Sequence, residues 1–333
     1  MLIITNESSG VDRYSQAIAK RLDVKKVESR RYLSLIEAYQ LSRLVRRQVD
    51  VVHLPNQHFA RYALFLNNPF IVTVHDLVRT CFGFGKETVT ERILLKLDIR
   101  GIKRASHIIT VSQHTKNDLI KYLKIPEDRI SVIYNGVDHN IFKPYDIKVL
   151  DKPYILYVGS ERPRKNLGRL FEAFAKLKNE FPEIKLVKVG VSGRSEKYRR
   201  NVMRKLGSLG ITQDVIFVDY TSELDLAYYY SSAKLLAYPS LYEGFGLPPL
   251  EAMACGCPVV TSNTSSLPEV MGEAGIMVNP YDTDNLAQAM RQVLTDAKLR
   301  DDMIRKGLKQ SKRFSWEETA RQTMEVYEKV GGT

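Results

Sequence analysis

Hydrophobic and polar positions alternate along this chain with a regular rhythm. Short β-branched runs, nearly unbroken in apolar residues, are followed by longer segments whose apolar residues recur at helical spacing. The runs predict strands at Leu2–Thr5, Val51–Leu54, Phe70–Val74, His107–Val111 and Ile130–Ile133. A second series is predicted at Tyr154–Val158, Lys185–Val189, Val215–Phe217, Leu235–Tyr238 and Val259–Thr261. Strands that are apolar throughout and separated by helices belong in parallel sheets covered on both faces.

The rhythm breaks once. After Asn135-Gly136-Val137-Asp138, the stretch Phe142–Pro153 holds two prolines and shows no period, and the pattern restarts at Tyr154. This predicts an α/β protein of two doubly wound, Rossmann-like domains, 1–145 and 152–314, with a linker between them. Ser315-Trp316-Glu317-Glu318 has capping-box spacing and opens a final helix, 315–330, that can pack on either domain, the first included. Two such domains facing across a cleft would place chemistry in the loops after the strands, because ligands of open parallel sheets sit outside the strands' carboxyl ends.

Composition narrows the classes. At 333 residues, 44% hydrophobic and 26% charged, the chain reads as globular protein of about two domains. No apolar run approaches the ~18 residues of a membrane span. The opening Met-Leu-Ile-Ile-Thr has no basic n-region, so a cytoplasmic location is expected. Three cysteines (Cys81, Cys255, Cys257) do not make a disulfide framework. Cys255-Gly-Cys257 lacks a second pair or a nearby histidine, and Asp282-Thr-Asp284 is better explained as a helix cap, so no metal site is expected.

The formal charge is +12 and lies mostly in the first half, which has 24 Lys/Arg against 15 Asp/Glu in residues 1–150. The rest has 26 against 23. A basic first half suits an anionic partner: nucleic acid, acidic lipid or a phosphorylated substrate. The basic stretch is interleaved only with Tyr14, Tyr32 and Tyr39, which argues against nucleic acid. Arg30 to Arg47 reads as a basic amphipathic helix, suited either to anionic membrane or to packing on its own domain.

Four loops could carry chemistry. In Tyr242-Glu243-Gly244-Phe245-Gly246-Leu247-Pro248-Pro249-Leu250-Glu251, a glycine turn precedes a helix opened by proline and closed near Gly256. Backbone N–H groups and the helix dipole favour an anion there. Glu243 and Glu251 on either side suit a ligand with hydroxyls flanking its phosphates, such as a nucleotide sugar. They also suit a favourable helix-terminus charge and a solvated loop carboxylate. The loop Gly159-Ser160-Glu161-Arg162-Pro163-Arg164-Lys165-Asn166 gathers cations at a strand's end, for a diphosphate or for solvent. Gly10, in the first loop, permits close backbone approach or merely a turn. His75 ends the strand Phe70–Val74 and could meet a sugar hydroxyl or phosphate, or be structural; His53 is a weaker case.

These segments together resemble glycosyltransferase family 4, of the GT-B fold, over nearly the whole chain. Glu243 to Glu251 is similar to that family's E-x7-E signature. Val158-Gly-Ser-Glu-Arg-Pro-Arg-Lys-Asn, Val74-His-Asp-Leu, Ile133-Tyr-Asn-Gly-Val-Asp and Ser266-Leu-Pro-Glu-Val also look familial. The resemblance implies a retaining glycosyltransferase with a nucleotide-sugar donor, no metal and no other cofactor. It implies that Glu251 holds the ribose diol and Glu243 the donor sugar hydroxyls. It implies that the backbone around Gly244, Phe245, Gly246 and Leu247 touches sugar and phosphates. Arg164 and Lys165 would clamp the diphosphate, Gly10 would approach the phosphates and His75 would meet the sugar near its anomeric centre. Many members carry Arg after the glycine matching Gly159; here Ser160 stands there and Arg162 is the candidate substitute. The segment Ser240 to Glu251 looks most like the mannosyltransferase branch, which implies GDP-mannose and a glycan or lipid-linked acceptor. A UDP-sugar enzyme of the same fold and a non-catalytic nucleotide-sugar-binding protein are the alternatives. Base selectivity is expected around Asp219–Leu224.

Overall fold

The structure is a computed structural model and describes residues 2–5, 10–29, 49–81, 88–193 and 195–332. It divides into two compact units, Met1–Gly136 with Phe314–Thr333, and Val137–Arg313.

The first unit carries β1 (Leu2–Thr5), β2 (Lys26–Ser29), β3 (Val52–Leu54), β4 (Phe70–Val74), β5 (His107–Thr110) and β6 (Ile130–Val132). They form a parallel sheet in the order β2-β1-β3-β4-β5-β6. Its central strands β3 and β4 are buried at every position, so apolar residues occupy both faces and the two polar ones, His53 and Thr73, hydrogen-bond to each other. The helix Val89–Arg104 packs on the 3-10 segment Gln57–Phe65 so closely that a Cβ on Gly101 would lie 1.9 Å from the Ala60 carbonyl oxygen. The last helix, Trp316–Gly331, belongs to this unit. Trp316 and Ala320 pack with Leu2, Tyr14 and Ile18, and Val326 packs with Val51, Ile71, Ile109 and Ile133. Ser315 caps it by accepting from the Glu318 amide at 3.2 Å. The carboxylate of Glu318 turns instead to Arg321, at 2.6 and 2.8 Å.

The second unit carries β7 (Tyr154–Val158), β8 (Lys185–Val189), β9 (Val215–Val218), β10 (Leu235–Tyr238), β11 (Val259–Ser262) and β12 (Ile276–Val278). They form a parallel sheet in the order β12-β11-β10-β7-β8-β9. The unpatterned stretch before Tyr154 is part of this unit rather than a free linker. Phe142 lies edge-on to Tyr230 at 6.3 Å and Tyr145 to Tyr228 at 5.0 Å. The amides of Tyr145 and Val149 donate to the hydroxyls of Ser231 and Ser232 at 3.2 and 3.1 Å. The segment is an irregular strap over the helix Glu223–Ser232, so it needs no helical or strand period.

Two strands, β2 and β12, escape the sequence pattern, and both lie at a sheet edge. An edge strand pairs on one side only, and Lys-Val-Glu-Ser has no apolar run to mark it. Among the described residues no helix is long and apolar enough to cross a membrane. The basic stretch 30–47 lies outside the described residues.

Candidate active site

Strands β7 and β10 are hydrogen-bonded neighbours at the middle of the second sheet, so the loops leaving their carboxyl ends lie side by side. That topology brings Lys165 and Glu243 together although they stand 78 positions apart in the sequence. The two loops are stitched by backbone as well: the Leu241 amide donates to the Arg164 carbonyl at 2.7 Å. Asn166 adopts the left-handed conformation (φ 59°), and its side-chain amide donates to the carbonyls of Pro239 and Pro280 at 3.0 and 2.7 Å. This fixes the end of the turn Pro163–Lys165 and with it the direction of Lys165.

At the centre is a buried charge cluster. Lys165 Nζ donates to Glu243 Oε1 at 2.7 Å and to the Tyr238 hydroxyl at 2.5 Å. The Tyr238 hydroxyl donates in turn to Glu243 Oε1 at 3.0 Å. Arg164 Nη1 donates to Glu243 Oε2 at 2.7 Å and to the Tyr242 carbonyl at 2.8 Å. Side-chain exposure is 14% for Arg164, 10% for Lys165 and 8% for Glu243, so solvent screens these charges little. One carboxylate therefore faces two cations. Burial alone would raise the Glu243 pKa, but the charges of Arg164 and Lys165 prevail and hold it down to about 2. Lys165 shares its single anion with Arg164; burial outweighs the attraction of Glu243, Arg164 adds repulsion, and its pKa falls to about 8. Arg162, exposed at the start of the same turn, adds a further repulsive charge.

The segment after β10 is held in place by two serines. Ser266 Oγ donates to the carbonyls of Glu243 and Phe245 at 2.9 and 2.7 Å, and the Glu243 amide donates to Ser265 Oγ at 3.0 Å. Gly244 and Phe245 form a bend that ends on Gly246, which has φ 120° and precedes the helix Leu247–Ala254. The backbone angle favours glycine, and a Cβ on Gly246 would stand 2.9 Å from Leu267 Cδ2, so the leucine would have to shift to admit it. Pro248 and Pro249 occupy the first turn of that helix, as expected. Glu251 points from the same helix into the interior, where its Oε2 accepts from the Tyr230 hydroxyl at 2.9 Å. The cluster lies on the segments that leave β7 and β10, the Gly244–Leu247 turn follows it in the chain, and Glu251 stands on the helix that the turn opens.

In the first unit, His75 follows β4 and is buried. Its Nε2 lies 2.8 Å from the Pro55 carbonyl, which only accepts, so Nε2 carries a proton. Its amide donates to Gln57 Oε1 at 3.1 Å, and its ring stands edge-on to Tyr14 at 5.0 Å. His53 is structural: Nδ1 meets the Tyr327 hydroxyl at 2.6 Å and Nε2 the Thr73 hydroxyl at 2.7 Å. Burial lowers its pKa to about 3, so it is neutral. Gly10 is the first residue of the helix Gly10–Ala19 rather than a loop residue, while 6–9 lie outside the described residues.

The sequence gives no sign of Tyr238 or Tyr230, and it marks Asn166 and Ser266 only as members of motifs, without the hydrogen bonds they make. Tyr238 closes its strand as Leu-Leu-Ala-Tyr and reads there as an ordinary apolar core position. Only its hydroxyl, placed between Lys165 and Glu243, gives it a part in the site.

Residues 140–310 match the family model described as glycosyl transferases group 1, and residues 2–141 match that described as glycosyltransferase family 4. The chain is 34% identical over 322 residues to the O-antigen chain mannosyltransferase B of Escherichia coli, covering 90% of this chain and 81% of that one. It is 33% identical over 243 residues to the serotype-specific mannosyltransferase WbdA of Escherichia coli, a match to 68% of this chain but 29% of that longer protein. Its fold is similar to that of HepE from Anabaena, solved with UDP-glucose, at a TM-score of 0.85 and 18% identity over 98% of this chain and 99% of that one. On the strength of both family models and a relative aligned along nine-tenths of this chain, the chain belongs to glycosyltransferase family 4 and is a glycosyltransferase of the GT-B fold.

Proposed function

We propose that this glycosyltransferase is a retaining, metal-independent mannosyltransferase that moves mannose from GDP-mannose to a glycan or lipid-linked acceptor. The observation that carries the reading is the Arg164–Glu243–Lys165 cluster beside Glu251 and the Gly244–Leu247 turn. Two cations beside a helix N-terminus can stabilise a diphosphate leaving group, the task a metal performs elsewhere. Glu251, held by Tyr230, is assigned to the ribose diol and Glu243 to the sugar hydroxyls. His75 and Gly10, from the first unit, are assigned to the donor sugar and its phosphates. The E. coli relatives named as mannosyltransferases support the choice of sugar. Retention would follow from same-face attack on an oxocarbenium-like centre, with the departing phosphate taking the acceptor's proton; the alternative double displacement would use a carboxylate nucleophile on the opposite face. The charge excess of the first half supports an acceptor at an anionic membrane on the cytoplasmic face, with 30–47 as the contact.

The test is thermal stability against GDP, UDP, ADP and TDP and their sugars, with EDTA present throughout. A ligand at ~100 times its dissociation constant adds about 2.7 kcal/mol. Stabilisation by GDP and GDP-mannose supports the reading, and stabilisation by UDP and its sugars alone moves the donor to that class. No shift with any nucleotide overturns it.

A further inference from the structure

The two cations assigned to the diphosphate already have an anion. Arg164 and Lys165 both hold Glu243, one on each carboxylate oxygen, at 2.7 Å, and all three side chains are largely buried. A carboxylate so engaged does the electrostatic work of a phosphate oxygen: it neutralises part of a cluster that would otherwise be two bare charges. An incoming diphosphate must therefore draw Arg164 and Lys165 away from Glu243, leaving a buried carboxylate with Tyr238 as its remaining donor in the cluster. Leaving such a group under-bonded is costly. A ligand that also brings hydroxyl donors to Glu243 removes that cost, and a nucleoside diphosphate without its sugar does not.

We propose that Glu243 is an internal counter-anion that makes this site discriminate the loaded sugar nucleotide from the spent nucleoside diphosphate. The proposal rests on the functional reading above. In it, Glu243 is more than a contact to the sugar. Its ion pairs with Arg164 and Lys165 weaken the hold on the diphosphate whenever the sugar is absent, which favours release of the product and limits inhibition by it. Tyr238 serves the exchange by keeping one hydrogen bond on Oε1 while the cations leave.

The experiment is calorimetric titration of the full chain with GDP and with GDP-mannose, and with UDP and UDP-glucose in parallel, for the wild type and Glu243→Gln. Glutamine keeps the shape and removes the charge. The expected result is that Glu243→Gln binds the nucleoside diphosphate about tenfold more tightly, while the sugar nucleotide gains nothing or weakens, so the preference for the loaded donor shrinks at least tenfold. If Glu243→Gln does not fold, Glu243→Asp keeps the charge but is one methylene too short to hold both cations, and a smaller gain of the same sign, about threefold, is expected. A nucleoside diphosphate bound no more tightly by either variant overturns the counter-anion while leaving the donor assignment standing. Failure of the wild type to bind any of the four ligands overturns the functional reading and this proposal with it.

Discussion

Lys165→Met separates the cost of the site from its use. Methionine approximates the volume of the lysine stem and lacks its charge. In the folded protein the ammonium has a pKa lowered from 10.5 to about 8, first by burial. Each unit corresponds to about 1.36 kcal/mol. Between pH 8 and 10.5 the unfolded chain holds this proton and the folded chain does not, so this group's contribution to stability rises with pH across that window. Below pH 8 its cost is complete, at up to about 3 kcal/mol. Lys165→Met removes that cost and leaves Glu243 paired with Arg164, so at pH 7 the variant should be as stable as the wild type or more stable. Raising the pH from 7 to 9 should then bring the wild type closer to the variant. Donor binding should move the other way: loss of a charge-assisted bond costs about 1.5–3 kcal/mol, or roughly 10–150-fold in GDP affinity. Scanning calorimetry at pH 7 and 9 reads the first effect, where 1 kcal/mol shifts the melting temperature by about 2–4 °C for a unit of this size. Titration with GDP reads the second. A variant destabilised by more than about 2 kcal/mol at pH 7, or one that binds GDP like the wild type, would refute the reasoning.

Three further outcomes follow from the geometry. Gly246→Ala places a methyl 2.9 Å from Leu267 Cδ2 on a backbone at φ 120°, and should cost about 1–3 kcal/mol of stability and weaken nucleotide binding, read by melting and titration. Tyr230→Phe removes only the hydroxyl that Glu251 accepts; kcat/KM for the donor should fall about tenfold or more while a 2′-deoxyribose donor, which lacks one hydroxyl partner of Glu251, loses less. His53 has a pKa lowered to about 3, so between pH 6.5 and 3 the unfolded chain binds the extra proton and stability falls with acidification by about 1.4 kcal/mol per unit. In His53→Gln that part of the slope should vanish, as measured by unfolding at pH 7, 5.5 and 4.5.

The sequence pattern is legible where burial is symmetric. Central strands such as Phe70–Val74 and Tyr154–Val158 are buried on both faces, and their unbroken apolar runs mark them. The edge strand Lys26–Ser29 carries no such mark because three of its four residues are polar, and Ile276–Val278, though apolar, is only three residues long. The strap before Tyr154 looks like a linker because its order comes from side-chain hydrogen bonds to Ser231 and Ser232, which leave no period behind. The site divides in the same way. Lys165 and Glu243 stand out as charges beside glycine turns, and the neighbouring strands β7 and β10 bring them together. Their direct pairing is a property of the folded loops, fixed by Asn166 and Ser266, and no spacing in the sequence announces it.

The most direct measurement is a crystal structure of the protein with GDP. The account predicts the diphosphate within hydrogen-bonding reach of Lys165 and Arg164 at the Gly244–Leu247 turn, with both cations drawn away from Glu243 and the ribose on Glu251. A nucleotide bound elsewhere, or a diphosphate at this turn with Lys165 and Arg164 unengaged, would contradict it.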